Sequence, residues 1–410
     1  MKKIILSLMT LVSLTASAQF GGFGGRGQGN PWVDSEAATA EDFKPALSNQ
    51  DSKQYPMVNS ARQVRAQISA PNATKVGLDI AGKIYTMTKD ENGVWTGTSA
   101  PQDPGFHYYQ LNIDGASVPD PGSLYYYGAS RWGSGIEVPS EDQDFWQVKN
   151  VPQGSMGEVY YYSTYTEKMR RCFVYLPNEY FTNPTKKFPV LYLQHGMGEN
   201  EYSWPYQGHV ASIMDNLIAA KKALPFIVVM DNGLNANAPR PAGEMPQGGQ
   251  RPQGQGGQRP QGGFGGFGGF GGGFADGFKN VLFNDIMPMI EKNYRVIADP
   301  QHRAYAGLSM GGMQAREVTL ANPGKFAYVG SFSSGAWSVD QVKNSEGFAK
   351  NTKLLFMSGG GKENMGCVEA AKNIKEQLGM NAVGYESPGT AHEFHTWRRS
   401  LYEFAQLLFK

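Results

Sequence analysis

The chain of 410 residues is longer than one ordinary domain, which predicts two or three domains. It has 37 Lys and Arg residues against 36 Asp and Glu, and only 18% of its residues are charged. Because no basic excess is present to neutralise a phosphate backbone, the composition argues against nucleic-acid binding. Hydrophobic residues make up 40% of the sequence, which is enough for a sizeable core.

Residues 1–18 have the pattern of a signal peptide. Lys2 and Lys3 precede a mostly apolar stretch from Ile4 to Leu14, and Ala16-Ser17-Ala18 forms a cleavage site. The apolar stretch is too short to span a bilayer, and no other segment is long and apolar enough to do so. There is no Cys near the cleavage site, so a lipid anchor is not expected. The sequence therefore predicts a periplasmic or secreted protein without a membrane span.

A Gly-rich segment follows over residues 19–33 and is predicted to be flexible. Residues 34–150 then read as short strands separated by turns such as Asp90-Glu91-Asn92-Gly93, with no helical period between them. This spacing predicts a small all-β, immunoglobulin-like sandwich. The predicted strands cover residues 64–68, 75–80, 83–88, 94–96 and 106–113.

In residues 151–410, a leading β-hairpin is followed by strands that alternate with helices. The apolar run Phe188–Leu193 is typical of a strand buried on both faces. The alternation predicts an α/β fold with a mostly parallel sheet and helices on both faces. The predicted strands cover 158–165, 170–176, 188–193, 226–230, 304–308, 325–332, 353–358 and 382–386, and the predicted helices 210–221, 281–293, 310–321, 367–378 and 397–409.

Residues 239–277 form a low-complexity insert rich in Gly, Pro, Gln and Phe. Such a tract cannot build a core, so we predict a disordered surface insertion. The alternative is that the tract, or its Phe side chains, covers a site beside the preceding strand.

The sequence Gly307-Leu308-Ser309-Met310-Gly311 is a G-x-S-x-G motif. It lies between a predicted strand and a predicted helix, the context in which a sharp turn exposes a nucleophilic serine. Ser309 is therefore the candidate nucleophile. The alternative is a Gly-rich turn with an ordinary N-cap serine.

A serine hydroxyl needs a base, which in this chain order is a late histidine on a loop after a strand. His392 follows the predicted strand 382–386 and precedes the last helix, so it is the candidate base. His395 is the rival, and its alternative interpretation is a solvated or capping residue.

The oxyanion of the tetrahedral intermediate requires two backbone N–H donors. One is expected from Met310, the residue after the nucleophile. The other is expected from Met197, in the loop after the strand 188–193. His195 in that loop is interpreted as structural rather than catalytic.

The triad acid should follow the strand 353–358. Glu363 is the only carboxylate in the loop 359–365, so it is the candidate acid, although an exposed glutamate is the alternative. The scattered histidines and the two cysteines, Cys172 and Cys367, do not form a metal motif, and no metal or other cofactor is predicted. The cysteines are interpreted as two separate buried residues, with a disulfide as the alternative.

Several motifs together closely resemble carbohydrate esterase family 1, which includes feruloyl esterases, acetyl xylan esterases and relatives of enterochelin esterase. These motifs are YLQHGMGENE, MDNG, IEKNYRV, AGLSMGG and PGTAHEFHTWRRSLYEF. The stretches ENGVWTGT and PGFHYYQLNIDG resemble the early-set sandwich related to starch-binding modules, the CBM48-like domain.

The resemblance implies an α/β-hydrolase fold, ester hydrolysis on plant cell-wall polysaccharide and no cofactor. By position it makes Ser309 the nucleophile, His392 the base, and Met197 and Met310 the oxyanion hole. The chain departs from the family at the acid, because Asn364 stands where many members have Asp. Either Glu363 substitutes for that Asp or the triad is weakened. The Gly-rich insert is a second departure, since this region borders the site in relatives.

Three functions are compatible with these features. The leading hypothesis is a secreted serine esterase that releases ferulate from arabinoxylan or its oligosaccharides. The second hypothesis keeps the mechanism and changes the acyl group to acetate. The third is a glycan-binding protein with a decayed esterase, in which Trp95, Tyr125–Tyr127 and Trp132 could stack on sugars, although such aromatic residues are more often core.

Overall fold

The computed structural model describes residues 29–234, 236 and 274–410. The predicted signal peptide at 1–18, residues 19–28 of the Gly-rich segment and nearly all of the insert at 239–277 lie outside the described residues.

The N-terminal part consists of two facing β-sheets, which confirms the predicted all-β sandwich. One sheet has the strand order β1-β6-β5-β9-β12-β11 with β10 paired to β9, and the other has the order β2-β3-β4-β8-β7. The strands are β1 (Trp32–Asp34), β2 (Lys44–Pro45), β3 (Met57–Val58), β4 (Gln63–Ser69), β5 (Val76–Ile80), β6 (Lys83–Thr86), β7 (Thr88–Lys89), β8 (Val94–Pro101), β9 (Gly105–Ile113), β10 (Ala116–Val118), β11 (Tyr125–Gly128) and β12 (Arg131–Val138).

Local sequence accounts for much of this sandwich. Val76, Leu78 and Ile80 alternate along β5 and are all buried, as the period of two in a strand requires. In the turn before β8, the Asp90 carboxylate accepts the backbone N–H groups of residues 92 and 94, and Gly93 adopts a φ of 77°. An aspartate followed by a left-handed glycine is thus what reverses the chain here.

The segment 19–33 was predicted to be flexible, and this is wrong at its end. Strand β1 begins at Trp32, which pairs in register with Ile84 of β6. Trp32 also packs under the ammonium group of Lys75, at 3.7 Å from the ring centroid. An aromatic and a β-branched residue, Trp32 and Val33, favour the strand over the glycine-rich composition that precedes them.

The C-terminal part is built on one eight-stranded sheet with the order β13-β14-β16-β15-β17-β18-β19-β20. The strands from β16 to β20 run parallel, and β13 and β14 form an antiparallel hairpin at the edge. The strands are β13 (Ser155–Ser163), β14 (Lys168–Leu176), β15 (Val190–Gln194), β16 (Ile227–Asp231), β17 (Arg303–Leu308), β18 (Tyr328–Phe332), β19 (Leu354–Gly360) and β20 (Ala382–Ser387).

Helices cover both faces of this sheet, so the predicted α/β-hydrolase fold is confirmed. Every residue of β15, β16, β18 and β19 is buried, as expected of strands with helices on both sides. The helices are α1 (Asn178–Thr182), α2 (Val210–Ala219), α3 (Phe274–Val281), α4 (Met287–Asn293), α5 (Met310–Ala321), α6 (Val339–Lys343), α7 (Phe348–Asn351), α8 (Cys367–Leu378) and α9 (Phe394–Ala405).

The predicted end of the Gly-rich insert at residue 277 is also wrong. Helix α3 begins at Phe274, and it continues through a π-helical turn at Leu282–Ile286 into α4. Ala275, Phe278 and Val281 recur every three residues and are buried against the sheet. Because glycines surround these residues, the helical period of the apolar positions was not recognised in the sequence.

The sandwich and the hydrolase share one hydrophobic core. Phe106 of β9 and Tyr126 of β11 belong to the same buried cluster as Phe394 and Leu401 of α9. Arg398 of α9 is fully buried in this junction and forms two hydrogen bonds to the carboxylate of Glu137, at 3.0 and 2.5 Å. The sandwich is therefore packed into the hydrolase by both apolar and ionic contacts.

Replacing Glu137 with glutamine is expected to lower the free energy of unfolding by about 3–5 kcal/mol, because it leaves a buried guanidinium without a counter-charge. Burial alone would raise the pKa of Glu137, but the charge of Arg398 and the bonds from His209 and Arg398 outweigh it and lower this pKa to about 2. The Glu137–Arg398 pair therefore contributes its full stabilisation at pH values above about 4.3, the pKa of a glutamate in the unfolded chain. This contribution is lost as the pH falls toward 2.

Urea denaturation at neutral and acid pH checks this prediction. The double variant Glu137→Gln with Arg398→Met should recover most of the loss, since removing both charges leaves no unpaired ion. Equal stability of the wild type and the single variant at neutral pH would contradict the prediction.

Candidate functional site

Ser309 lies on a strained turn between β17 and α5. Its backbone angles are φ 49° and ψ −114°, a conformation that a residue with a Cβ rarely adopts. A Cβ added at Gly307 would lie 2.4 Å from the carbonyl carbon of Gly311, and one added at Gly311 would lie 2.6 Å from the carbonyl oxygen of His195. The two glycines thus allow the close crossing that holds Ser309 at the end of its strand.

His392 reaches Ser309 from the loop between β20 and α9. Its Nε2 atom lies 2.9 Å from the Ser309 hydroxyl oxygen. The ring is largely buried and meets the edge of Trp397 on α9, with the ring centroids 5.1 Å apart. The start of α9 therefore fixes the orientation of the imidazole.

Glu363 lies in the short turn after β19, and its side chain is buried rather than exposed. One carboxylate oxygen lies 2.7 Å from Nδ1 of His392. The other accepts hydrogen bonds from the Ser333 hydroxyl and the Gly360 backbone N–H, both at 2.7 Å. Asn364, the next residue, is exposed and has a left-handed backbone with φ 51°, so the structure brings Glu363 and not Asn364 to the histidine.

These hydrogen bonds determine the protonation states of Glu363 and of the two ring nitrogens of His392. Burial would raise the pKa of Glu363, but the hydrogen bond and charge of His392, followed by the bonds from Ser333 and Gly360, keep this pKa below its usual value. An ionised carboxylate only accepts, so Nδ1 of His392 carries a proton and Nε2 accepts the hydrogen bond of the Ser309 hydroxyl. This is the tautomer that general-base activation of a serine requires.

The loop after β15 passes directly beside the serine. A Cβ added at Gly196 would lie 3.4 Å from the Cβ of Ser309. Met197 follows Gly196, and Met310 is the first residue of α5, whose N–H has no acceptor within the helix. The two residues predicted to form the oxyanion hole therefore lie on the two segments that flank Ser309.

Glu199 bonds to the backbone of this loop, and the sequence analysis did not identify it. Its Oε2 atom accepts the backbone N–H of Gly196 at 3.0 Å, while its Oε1 atom is buried without a hydrogen-bond partner among the described residues. Burial raises the pKa of Glu199 to about 8. This carboxyl group is therefore mostly neutral at neutral pH. A glutamate in a Gly-rich loop is usually solvent-exposed, so no sequence signal indicated this role.

Ser333 is the second residue that sequence reasoning missed. It follows β18, adopts φ 48° and donates its hydroxyl hydrogen to Glu363. The only available signal was its place at the carboxyl end of the strand next to β17, where side chains of parallel strands meet.

Two other histidines named in the sequence analysis, His195 and His395, are buried in different environments. His195 is buried, its Nδ1 lies 2.7 Å from the Gly196 carbonyl, and its Nε2 accepts the Gly233 N–H, so it braces the loop as predicted. His395 was expected to be solvated or capping if it was not the base, and this is wrong. It is only 1% exposed, lies against Gly105 of the sandwich and contacts Asp142 at 3.3 Å.

A cavity of about 1100 Å³ lies at the junction of the sandwich and the hydrolase. Lys362, Thr390 and His395 line it, whereas Ser309 and the Gly196 loop do not. The chemistry therefore belongs to the hydrogen-bonded chain at Ser309 and not to this cavity.

The described residues contain no group of three or more His, Cys, Asp or Glu side chains that could hold a metal ion. Cys172 and Cys367 are both buried and free. Across residues 29–234, 236 and 274–410, none of the helices combines the length and apolarity needed to cross a bilayer.

Known proteins share both the sequence and the fold of this chain. Residues 163–407 match the Esterase family, described as "Putative esterase". The chain is 43% identical over 378 residues to an endo-1,4-beta-xylanase/feruloyl esterase of Xylanibacter ruminicola, with 90% of this chain and 48% of that protein covered. The chain thus spans about half the length of this relative.

Solved structures show the same fold at low sequence identity. An enterobactin esterase from Shigella flexneri superposes with a TM-score of 0.57 at 14% identity, covering 84% of this chain and 92% of that one. A carbohydrate esterase family 1 ferulic acid esterase from Anaeromyces mucronatus gives a TM-score of 0.50 at 21% identity, covering 66% and 96% of the two chains. The resemblance of the N-terminal stretches to a CBM48-like domain stays a prediction. With the family match across residues 163–407, the resemblance of the motifs between Tyr192 and Phe404 to esterases is confirmed, and the chain belongs to the esterase family.

Proposed function

We propose that this chain is a serine esterase that hydrolyses ester-linked hydroxycinnamates, such as ferulate, on plant cell-wall xylan. The observation that carries the proposal is the hydrogen-bonded chain from Ser309 through His392 to the buried Glu363. The choice of ferulate is supported by the relative from Xylanibacter ruminicola, whose name includes feruloyl esterase.

The geometry accounts for each step of an acyl transfer. His392 removes the proton of Ser309 as its oxygen attacks the ester carbonyl, and the N–H groups of Met197 and Met310 stabilise the resulting oxyanion. The protonated His392 then gives its proton to the departing sugar alcohol, which leaves an acyl group on Ser309. Water activated by the same histidine releases the acid. These steps use neither a metal nor a cofactor.

Glu363 supports both proton transfers. Its carboxylate, fixed by Ser333 and Gly360, faces the Nδ1 atom and stabilises the imidazolium that forms in each half-reaction. The intact chain of three residues also argues against a decayed esterase that only binds glycans. We further propose that the protein is exported, on the basis of the signal sequence at residues 1–18.

The experiment that tests the proposed substrate compares two esters. Purified protein is incubated with methyl ferulate and with acetylated xylan, and free ferulate and acetate are measured. Release of ferulate at the higher kcat/KM is the expected result. Release of acetate alone would replace the acyl group in the proposal, and release of neither acid would refute the esterase function.

The activity is expected to decline above about pH 8, because ionisation of Glu199 places a negative charge in the loop that carries Met197, one of the two proposed oxyanion donors. Glu199→Gln keeps an acceptor for the Gly196 N–H and cannot ionise. Its pH–rate profile, measured between about pH 6 and pH 10, should therefore lack this alkaline decline. An identical decline in the variant and the wild type would assign it to another group.

A further inference from the structure

Residues 388–393 connect β20 to α9 and carry His392, and we call them the histidine loop. A loop has no ladder of backbone hydrogen bonds, so other groups must bond its N–H and C=O groups. The partners of the two residues that precede His392, Thr390 and Ala391, therefore decide from which position the imidazole extends.

The first anchor of the histidine loop is the turn that carries Glu363. The Lys362 N–H donates to the carbonyl oxygen of Thr390 at 2.9 Å. A Cβ added at Gly360 would lie 2.4 Å from the same oxygen and 2.7 Å from the carbonyl oxygen of Ala391, so the two backbones are in close contact. Because Lys362 directly precedes Glu363, this contact ties the acid of the triad to the base.

The second anchor is the hydroxyl group of Thr396 on α9. Its oxygen lies 2.5 Å from the carbonyl oxygen of Ala391 and 2.6 Å from the hydroxyl oxygen of Thr390. The Thr390 hydroxyl in turn lies 2.7 Å from that of Ser387, at the end of β20. A carbonyl cannot donate, so Thr396 is the donor to Ala391.

The backbone of Ala391 is thereby bonded at both of its polar groups. Its N–H donates to a side-chain oxygen of Glu393 at 3.0 Å, and its carbonyl accepts from Thr396, which is fully buried. A buried hydrogen bond within a connected group is stronger than an exposed one, and loss of one partner is costly to the other. Removing the Thr396 hydroxyl therefore deprives Ala391 of this donor and loosens the residue before His392.

We propose that Thr396 is a positioning residue for His392, because its hydroxyl fixes the backbone from which the imidazole extends toward Ser309. The Ser309 hydroxyl oxygen and Nε2 of His392 are 2.9 Å apart, and a proton moves between them during the reaction. A displacement of about 1 Å can lower the rate of such a step about 10²-fold. This inference rests on the proposed function, although only on its serine chemistry and not on the choice of ferulate.

The test removes the hydroxyl and keeps the shape of the side chain. We expect Thr396→Val to lower kcat on methyl ferulate about 10- to 100-fold and to leave KM within about twofold of the wild type. Thr396→Ser keeps the hydroxyl and should therefore retain kcat within about threefold. The control is Thr319→Val, which removes a buried hydroxyl that donates to the Ala315 carbonyl at 2.7 Å, at the far end of α5. It should change neither kcat nor KM.

Thermal denaturation shows whether the two valine variants are comparable. Each removes one buried hydrogen bond, so both should lower the midpoint of unfolding by a similar amount. Equal kcat values for Thr396→Val and Thr319→Val, or for Thr396→Val and Thr396→Ser, would overturn the proposal. If Thr396→Val does not fold, Thr390→Val removes the next hydroxyl of the group and should lower kcat in the same way. An unchanged kcat in that variant would also overturn the proposal.

A probe that contains no ferulate separates this inference from the proposed function. The Ser309 oxygen attacks the phosphorus of a fluorophosphonate with loss of fluoride, and mass spectrometry measures the rate of attachment. We expect Thr396→Val to slow attachment about 10- to 100-fold and Thr319→Val to leave it unchanged. Slower attachment in Thr396→Val, with no ferulate released by the wild type, would refute the proposed substrate and retain the positioning role. Ferulate release by the wild type, with unchanged attachment in Thr396→Val, would refute the positioning role alone.

Discussion

Replacing Ser309 with alanine is expected to lower kcat for ester hydrolysis by a factor on the order of 10⁶, the loss that follows removal of the nucleophile in a serine hydrolase. The alanine keeps the Cβ, so the strained backbone at φ 49° is not relieved or worsened. The fold should therefore be unchanged, and KM should remain close to that of the wild type. Kinetics on methyl ferulate with a pure variant measure the loss.

Thermal denaturation supplies the control for this variant. The midpoint of unfolding should equal that of the wild type, because the one hydrogen bond of the serine hydroxyl within the described part of the chain is to His392. A variant that folds normally and retains more than about a hundredth of the activity would contradict a nucleophilic role for Ser309.

Replacing Glu363 with glutamine is expected to lower kcat by about 10⁴, the loss seen when the acid of a serine triad becomes an amide. The amide no longer supplies a charge to the imidazolium, and its NH₂ group favours the tautomer of His392 in which Nδ1 accepts. That tautomer directs a proton rather than a lone pair from Nε2 at Ser309. KM on methyl ferulate should change little, since Glu363 lies behind the histidine.

The matched control is the neighbouring residue, Asn364, at which the resemblance implies an Asp. Asn364→Asp should leave kcat within about twofold, because this exposed residue has no hydrogen bond to His392 and an aspartate tolerates its left-handed backbone. Adding Asn364→Asp to Glu363→Gln should not restore activity. Recovery in the double variant would show that the loop can present either residue, and would contradict the exclusive role of Glu363.

The sequence was sufficient to predict that Ser309, His392 and the loop that contains Glu363 lie at one edge of the sheet. Each follows a parallel strand, β17, β20 and β19 respectively, and the carboxyl ends of such strands meet at one edge of a sheet. The apolar runs that identify β17 and β19 are strong because these strands are buried on both faces. The position of the motif in the strand–helix pattern therefore carried most of the information about the site.

Other parts of the site depend on contacts that are remote in sequence. Whether residue 363 or 364 faces His392 is decided by a single short turn whose backbone angles no local propensity specifies. His395 is buried where Gly105 of the sandwich packs against it, and Glu199 is buried where it accepts the Gly196 N–H of its own loop. These side chains look like solvated surface residues until both parts of the protein are assembled.

The most direct test of the central claim is the partition of the acyl group between water and added methanol. Several ferulate esters with different leaving alcohols, including a feruloylated arabinose, are hydrolysed at one methanol concentration. An acyl-enzyme on Ser309 is common to all of them, so we predict the same ratio of methyl ferulate to ferulate from every ester. A ratio that changes with the leaving alcohol would show that no common feruloyl-enzyme forms, and would contradict the mechanism.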